Sequence, residues 1–454
     1  MAATVPSEAE SVKSHAPDCD PPTPYLNYHP ENTVVDASTK SAESNLSLPL
    51  EPPNGGARAW TVVFGAWLIL FAQLGLSNSF GTFQQYFEHN ILSDHSASAI
   101  SWIGAIQIFF QLFCGIFCGR IFDAYGSRWL LLTGSGLFVA SLIIVSFCKL
   151  YYQFILAEGV LLGIACAMLY HPAVTVTTQY FTTRKAFSVG IIMSGAGIGG
   201  MVWPVFLSAL FHRIGFGWTM RASAFFCLAL FAVANACITS FLPPRKPSPI
   251  KDTFEGLHDR NYVFLTLGTW FFFLGFYLPC FYLPVFAQSV GLRGSLPSDC
   301  LTIMNATGIV GRLAISFVSD KVGRFNAVAA STFLSGTFVL GLWIPSRSPA
   351  LVIVFSAVYG FWSGACLALF PACSGQISRP ERAGNRLGVI WAFVSFAALA
   401  SGPVGGAIIS HFGDTAGPSS YTWMIFVCGA SMIISSGFLL AGKLACNKNI
   451  FAVV

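Results

Sequence analysis

The stretch Gly119-Arg120-Ile121-Phe122-Asp123-Ala124-Tyr125-Gly126-Ser127-Arg128 reads Asp, two residues, Gly and then Arg, and it stands between two long apolar runs. The pattern returns in Ser319-Asp320-Lys321-Val322-Gly323-Arg324, again between apolar runs, with its Asp 197 positions after Asp123. A second echo joins Gly195-Ala196-Gly197-Ile198-Gly199-Gly200 to Gly402-Pro403-Val404-Gly405-Gly406. Matched features at matched places argue that one helical unit has been duplicated. The loops also have a mechanical reading. Glycine permits a tight turn, and an Asp or Arg beside it can bond to neighbouring helix ends. Gly119, Asp123, Gly126, Arg128, Asp320, Gly323 and Arg324 are therefore expected to form a latch that holds one conformation and releases in another. Small residues let membrane helices approach closely, so Gly195, Gly197, Gly199, Gly200, Gly402, Pro403, Gly405 and Gly406 are expected at helix contacts.

The composition around these loops excludes a water-soluble body. Of 454 residues, 54% are hydrophobic and only 9% charged, against about 25% charged in soluble domains. The mean hydropathy is +0.66. A membrane helix needs roughly 20 mainly apolar residues, and the sequence offers twelve such runs: 59–83, 98–121, 128–148, 152–178, 186–210, 219–242, 262–286, 299–318, 326–345, 350–373, 386–409 and 420–443. Only helices and closed barrels satisfy their backbones in lipid, and no strand-like alternation is present. The expected architecture is an all-α membrane protein with twelve transmembrane helices in two pseudo-symmetric six-helix bundles, 59–242 and 262–443. A cytosolic loop, 243–261, joins them, with a disordered tail, 1–58, before and a short terminus, 444–454, after. Placing both termini in the cytosol puts 18 Lys and Arg on that side and four (Lys149, Arg213, Arg293, Arg347) outside, as the positive-inside rule requires.

Other features are bland. The tail carries three basic and eight acidic residues and no apolar core, so it is no secretory signal and reads as disordered. The sequon Asn45-Leu46-Ser47 would be unused in the cytosol. None of the 13 cysteines forms a C-x-x-C pair, so neither a disulfide framework nor a zinc site is expected. The G-x-G-x-x-G of Gly195, Gly197 and Gly200 lies inside an apolar run and lacks the strand and the acidic residue of a dinucleotide fold. There is no P-loop, hence no ATP, and no catalytic arrangement. Nucleic acid, metal and cofactor are not expected.

Across residues 55–445 the sequence resembles the twelve-span transporters of the major facilitator superfamily, the carrying element being Gly119, Asp123, Gly126 and Arg128. More narrowly it is similar to the monocarboxylate transporter family, fungal branch, through Asn54-Gly55-Gly56-Ala57-Arg58-Ala59-Trp60, through Tyr180-Phe181-Thr182-Thr183-Arg184-Lys185-Ala186, and through Gly311-Arg312 to Gly323-Arg324. Asn54 stands where that family usually has an acidic residue. The resemblance implies secondary-active transport of a small organic solute by alternating access at a multi-pass, most naturally plasma, membrane. The partners expected are an organic solute, anionic in one reading, the lipid bilayer, and a proton as coupling ion. The animal branch has a Lys on span one and an Asp four residues before the span-eight Arg; here those places hold Gly81 and Gly308, so lactate-type transport does not carry over. Efflux of a fungal secondary metabolite is the first alternative, and a non-transporting nutrient sensor the second.

Ionisable groups within spans are costly and therefore functional suspects. Arg312 is the prime candidate for substrate, since a guanidinium can grip an anionic group through two parallel bonds. Asn305 lies two turns earlier on the same face, and Asn78, Gln84, Gln107 and Gln111 are further cavity candidates. Tyr277, Trp362 and Trp391 are candidate aromatic walls. Glu158 and His171 are candidates for carrying the proton, with a snorkelling or helix-pairing role the alternative for Glu158 near its outer helix end. Arg221 reads as a boundary anchor.

Overall fold

The computed structural model describes residues 52–242, 250–293, 296–412 and 417–446. Among the described residues, eleven helices are long and apolar enough to cross a membrane. They are α1 (Ala57–Ile91), α2 (Ala99–Tyr125), α3 (Ser127–Val145), α4 (Tyr151–Tyr180), the double-length run Lys185–Cys237, α7 (Arg260–Ser289), α8 (Asp299–Val322), α9 (Arg324–Trp343), α10 (Pro349–Ile377), α11 (Pro380–His411) and α12 (Pro418–Ala445). The run Lys185–Cys237 is broken once, at Gly215 (φ 74°, ψ 170°), into α5 (185–214) and α6 (216–237). A left-handed φ is open to glycine without strain, so one residue reverses the chain. The expected outer loop between spans five and six is thus almost absent, and Arg213 lies in the last helical turn rather than in a loop. Counting the two arms separately gives the twelve crossings, all helical. The tail to residue 51, including the sequon, lies outside the described residues.

Helix interiors are interrupted where the sequence breaks the hydrogen-bond ladder. Proline lacks the N–H and crowds the preceding turn, and Pro172, Pro204, Pro279, Pro284, Pro371 and Pro403 all stand inside helices. Residues Ile155–Leu161 form a π-helical segment within α4, and it carries Glu158. Such wider turns recur at functional sites. Large apolar side chains such as Phe117, Trp129, Leu156, Val205 and Trp218 are exposed, as expected where lipid is the solvent.

The halves meet along two helix pairs, α2 with α11 and α5 with α8. Glycine sets both approaches. A side chain at Gly119 would collide with the Gly384 carbonyl, and one at Gly388 with the Gly115 carbonyl. Across the other pair, a Cβ at Gly190 would lie 2.7 Å from the Arg312 carbonyl. Within the halves the glycine-rich segments do similar work. Gly195 and Gly199 of α5 abut α1 at Trp67 and Phe71, and Gly402, Gly405 and Gly406 of α11 abut α7 at Phe281 and Tyr282. Pro403 sits among the last group, inside α11.

Candidate functional site

The two repeated loops lie at one end of the interface between the halves, the end at which α1 and α7 begin. Asp123, near the end of α2, accepts backbone hydrogen bonds from Gly384 N (3.1 Å) and Asn385 N (2.7 Å) in the first turn of α11. Asp320, near the end of α8, accepts from Ala186 N (3.1 Å) and Phe187 N (2.9 Å) in the first turn of α5. Each carboxylate therefore meets the orphan N–H groups and positive dipole end of a helix in the opposite half. The loop glycines have the conformations this needs, with φ +77° at Gly126 and +100° at Gly323. The arginines differ. Arg324 pairs with Asp320 (2.8 Å) and donates to Thr182 O at 2.7 Å. Arg128 is exposed and has no hydrogen bond or ion pair to the described residues; Ser127 holds that corner instead, its N–H and hydroxyl bonding Ser240 Oγ at 2.9 and 2.8 Å.

The same two helix starts are gripped from their own half. Asn54, at φ 53°, accepts at Oδ1 from Thr182 N (2.6 Å), Thr182 Oγ1 (2.7 Å) and Thr183 N (3.1 Å). In the other half the segment before α7 does this: Arg382 pairs with Glu255, Arg386 with Asp259 (3.3 Å), and Asn385 Nδ2 donates to Thr253 O at 3.1 Å. Lys185 adds a further tie between the halves, donating from Nζ to Gly375 O (2.9 Å) in the last turn of α10. None of these contacts was foreseen from sequence. The available signals were Asn54-Gly55-Gly56, a turn-forming triplet just before a span, and the acid-base alternation around 253–260.

Arg312 is buried in the α5–α8 contact. Its Nη1 donates to Met193 O at 2.8 Å and its Nε has no partner. A Cβ at Gly197 would lie 2.8 Å from Nη1, so glycine there makes room for the guanidinium. Asn78 and Asn305 converge on the neighbouring Gly200, their Nδ2 atoms 3.6 and 3.9 Å from a Cβ built there. Arg312, Asn305 and Asn78 are thus gathered where α1, α5 and α8 meet.

The remaining candidates divide. Gln107 turns into the N-terminal bundle, where its Nε2 donates to Ser77 Oγ at 2.9 Å; it lines an internal crevice with Glu158, Leu76, Phe80, Phe83, Leu142, Leu162 and Met220. It faces the inside of its own bundle, not the boundary between the halves. Glu158 is 3% exposed with Oε2 unpartnered, which rules out snorkelling. Gln84 is occupied by Glu88, to which it donates at 2.8 Å. His171 is fully buried with neither ring nitrogen bonded and lies on Gly115 of α2. Gln111, one turn from Gly115, is also buried with Oε1 free of partners. Trp391 and Tyr277 both pack on Phe273, at 5.3 and 5.9 Å between centroids, while Trp362 is half-buried beside Phe361. Gln73, which the sequence did not single out, is fully buried with neither amide atom bonded. Arg221 lies between Phe147 and Trp218, with centroids 4.5 and 4.8 Å away, as an interfacial anchor would. Among the described residues no cluster of metal-ligating side chains occurs.

Comparisons with known proteins agree with this architecture. The family profile of the Major Facilitator Superfamily matches residues 59–328 and 265–445. The chain is 35% identical over 417 residues to MFS-type transporter 1 of an Ophiocordyceps species, covering 91% of this chain and 92% of that one. It is 33% identical over 411 residues to the agnestins efflux protein of Paecilomyces divaricatus, covering 89% and 92%. Among solved structures, the fucose:proton symporter of E. coli superposes with a TM-score of 0.67 at 14% identity, over 84% of this chain and 98% of that one.

Proposed function

The chain belongs to the Major Facilitator Superfamily of transporters, and from that premise we propose that it is a secondary-active exporter of a small organic metabolite, working by alternating access and driven by protons. The observation that carries this reading is the reciprocal pair of aspartates: Asp123 caps α11 and Asp320 caps α5, each reaching from one half into the other. Contacts of this kind close the cytosolic side and break when the halves rock apart about a central site. Export is favoured because a relative matching nine-tenths of the chain is named an efflux protein. A proton fits as coupling ion because Glu158 is a buried carboxyl without a cation beside it, and a charge in that position is costly unless a proton neutralises it.

Arg312 supports a second reading of the cargo, a monocarboxylate-like solute moving in either direction. Its unpartnered Nε, with Asn305 and Asn78 nearby, would receive an anionic group. Reconstitution in vesicles separates the readings. Labelled carboxylates and fungal metabolites are offered with and without a proton gradient of either sign. Proton-driven movement out of the cytosolic side supports export. If solutes bind and none crosses under any gradient, transport itself fails and a sensor remains.

A further inference from the structure

The duplication relates positions on the two sides of the interface, and one pair has diverged sharply. Asp123 corresponds to Asp320, and Gly384-Asn385 to Ala186-Phe187, by the backbone bonds each pair makes. Counting back along α2 and α8, Arg312 corresponds to Gly115; counting on along α5 and α11, Met193 corresponds to Trp391. One copy of the contact is therefore an arginine on a backbone carbonyl. In the other copy the arginine's place is vacant, His171 lies on Gly115, and an indole replaces the methionine.

The indole sits in an aromatic junction that bridges the halves. Trp391 packs edge-on against Tyr170 of α4 (5.8 Å) and against Phe273 of α7 (5.3 Å), and one turn outward Phe396 of α11 packs on Phe109 and Phe113 of α2 (5.6 and 6.1 Å). Three polar groups at this level are buried without partners: Trp391 Nε1, Gln111 Oε1 and the His171 ring. They share a level because α2 and α11 are antiparallel: Gln111 and Trp391 each lie about one turn outward of the Gly115–Gly388 contact. Tyr170 adjoins His171 on α4. Buried polar atoms are normally bonded, so unbonded ones flanked by rings describe a site whose ligand completes them.

The geometry points to a second recognition subsite at the α2–α4–α7–α11 junction, for a planar aromatic ring system carrying both a carbonyl and a hydroxyl. When the halves part, the edge-to-face contacts across the boundary, Trp391 with Tyr170 and Phe396 with Phe109 and Phe113, open and leave ring surface available to a flat ligand. The indole N–H needs an acceptor, which a carbonyl supplies. The Gln111 carbonyl oxygen needs a donor, which a phenolic hydroxyl supplies. His171 serves either, according to its tautomer. The cargo is then bipolar, with its flat body here and any anionic end at Arg312. This rests on the transporter reading for its biological role, but not for the binding itself.

The test is equilibrium dialysis of the purified full-length protein against three probes: 2-hydroxyanthraquinone, whose hydroxyl cannot bond its own carbonyl, unsubstituted anthraquinone and a saturated tricyclic ketone of similar volume. The hydroxylated ring is expected to bind about tenfold tighter than anthraquinone, one buried hydrogen bond's worth, and the saturated ketone weakest. Trp391→Leu should weaken both aromatic probes about tenfold. Trp391→Phe should keep the preference for rings but weaken all three carbonyl-bearing probes severalfold through loss of the indole N–H donor, and Gln111→Leu should erase the preference for the hydroxyl. Arg312→Ala should leave both preferences intact. The subsite is overturned if the saturated ketone binds as well as the aromatics, or if Trp391→Phe and Gln111→Leu both reproduce the parent protein; these two conservative variants decide the matter should Trp391→Leu fail to fold. Binding as expected, with no movement of any offered solute across vesicles under either gradient, would instead sink the transport reading and leave the subsite standing.

Discussion

Replacing Asp123 and Asp320 together with alanine should open the cytosolic side. Each aspartate accepts two backbone N–H bonds at a helix start in the other half, between 2.7 and 3.1 Å. Hydrogen bonds to a charged group contribute about 1.5–3 kcal/mol each, and the helix dipole up to about 1 kcal/mol more. The freed N–H groups sit at the aqueous end of the helices and rehydrate, which recovers part of that. A net cost near 2 kcal/mol per aspartate, or about thirtyfold in the closed-to-open ratio, is the expectation. The contacts are on different helix pairs and should add, so the double variant shifts the ratio about a thousandfold, enough to turn a well-populated closed state into a minor one. Spin labels at Tyr125→Cys and Val322→Cys, exposed positions on opposite halves, would report this by electron-electron resonance as a longer distance. Arg324→Ala should produce part of the shift and Arg128→Ala none, since only Arg324 touches the contact. A double variant with the same distance distribution as the parent would refute the latch.

Arg312→Ala should abolish flux while membrane expression stays normal; unimpaired transport would remove Arg312 from the site. Glu158→Gln should flatten the pH dependence of flux, and an unchanged profile would exclude Glu158 as the proton carrier. Gly311→Ala should lower thermal stability by about 1–3 kcal/mol, because the new methyl group meets the Phe361 carbonyl across the α8–α10 contact and overpacking is costly; a differential scanning measurement reads it. Tags at either terminus should be protected from a protease added outside intact cells, and cleavage there would reverse the topology.

The helices were legible because lipid imposes one rule on every residue: about twenty apolar positions in a row, with cations left at one face. The repeat was legible because charged residues are only 9% of the chain, so an aspartate and arginine recurring at matched places stand out. Side-chain direction was not. Gln107 and Gln111 are one turn apart on α2, yet Gln107 bonds Ser77 within its own bundle while Gln111 lies at the level of the interface. Arg128 and Arg324 occupy matching motif places, yet only the second is engaged, because Gly323 precedes it directly whereas Ser127 intervenes in the first loop. Asn54 escaped notice as a structural residue because its value lies in an acceptor oxygen, which the amide keeps when the charge of an acid is lost.

For the proposed gate, the clips formed by Asn54 before α1 and by Glu255 and Asp259 before α7 are two handles at the end of the bundle where the repeated loops lie. Each ties the chain entering a bundle to the helix start that the opposing aspartate must hold. Tension on the amino-terminal tail or on the central loop, whether from a bound protein or a fused domain, is therefore delivered to the gate through only a few residues of backbone. Trimming the chain up to Glu51 spares the first handle. Trimming three residues further removes it, and with it the route by which events outside the bilayer could set how often the transporter opens.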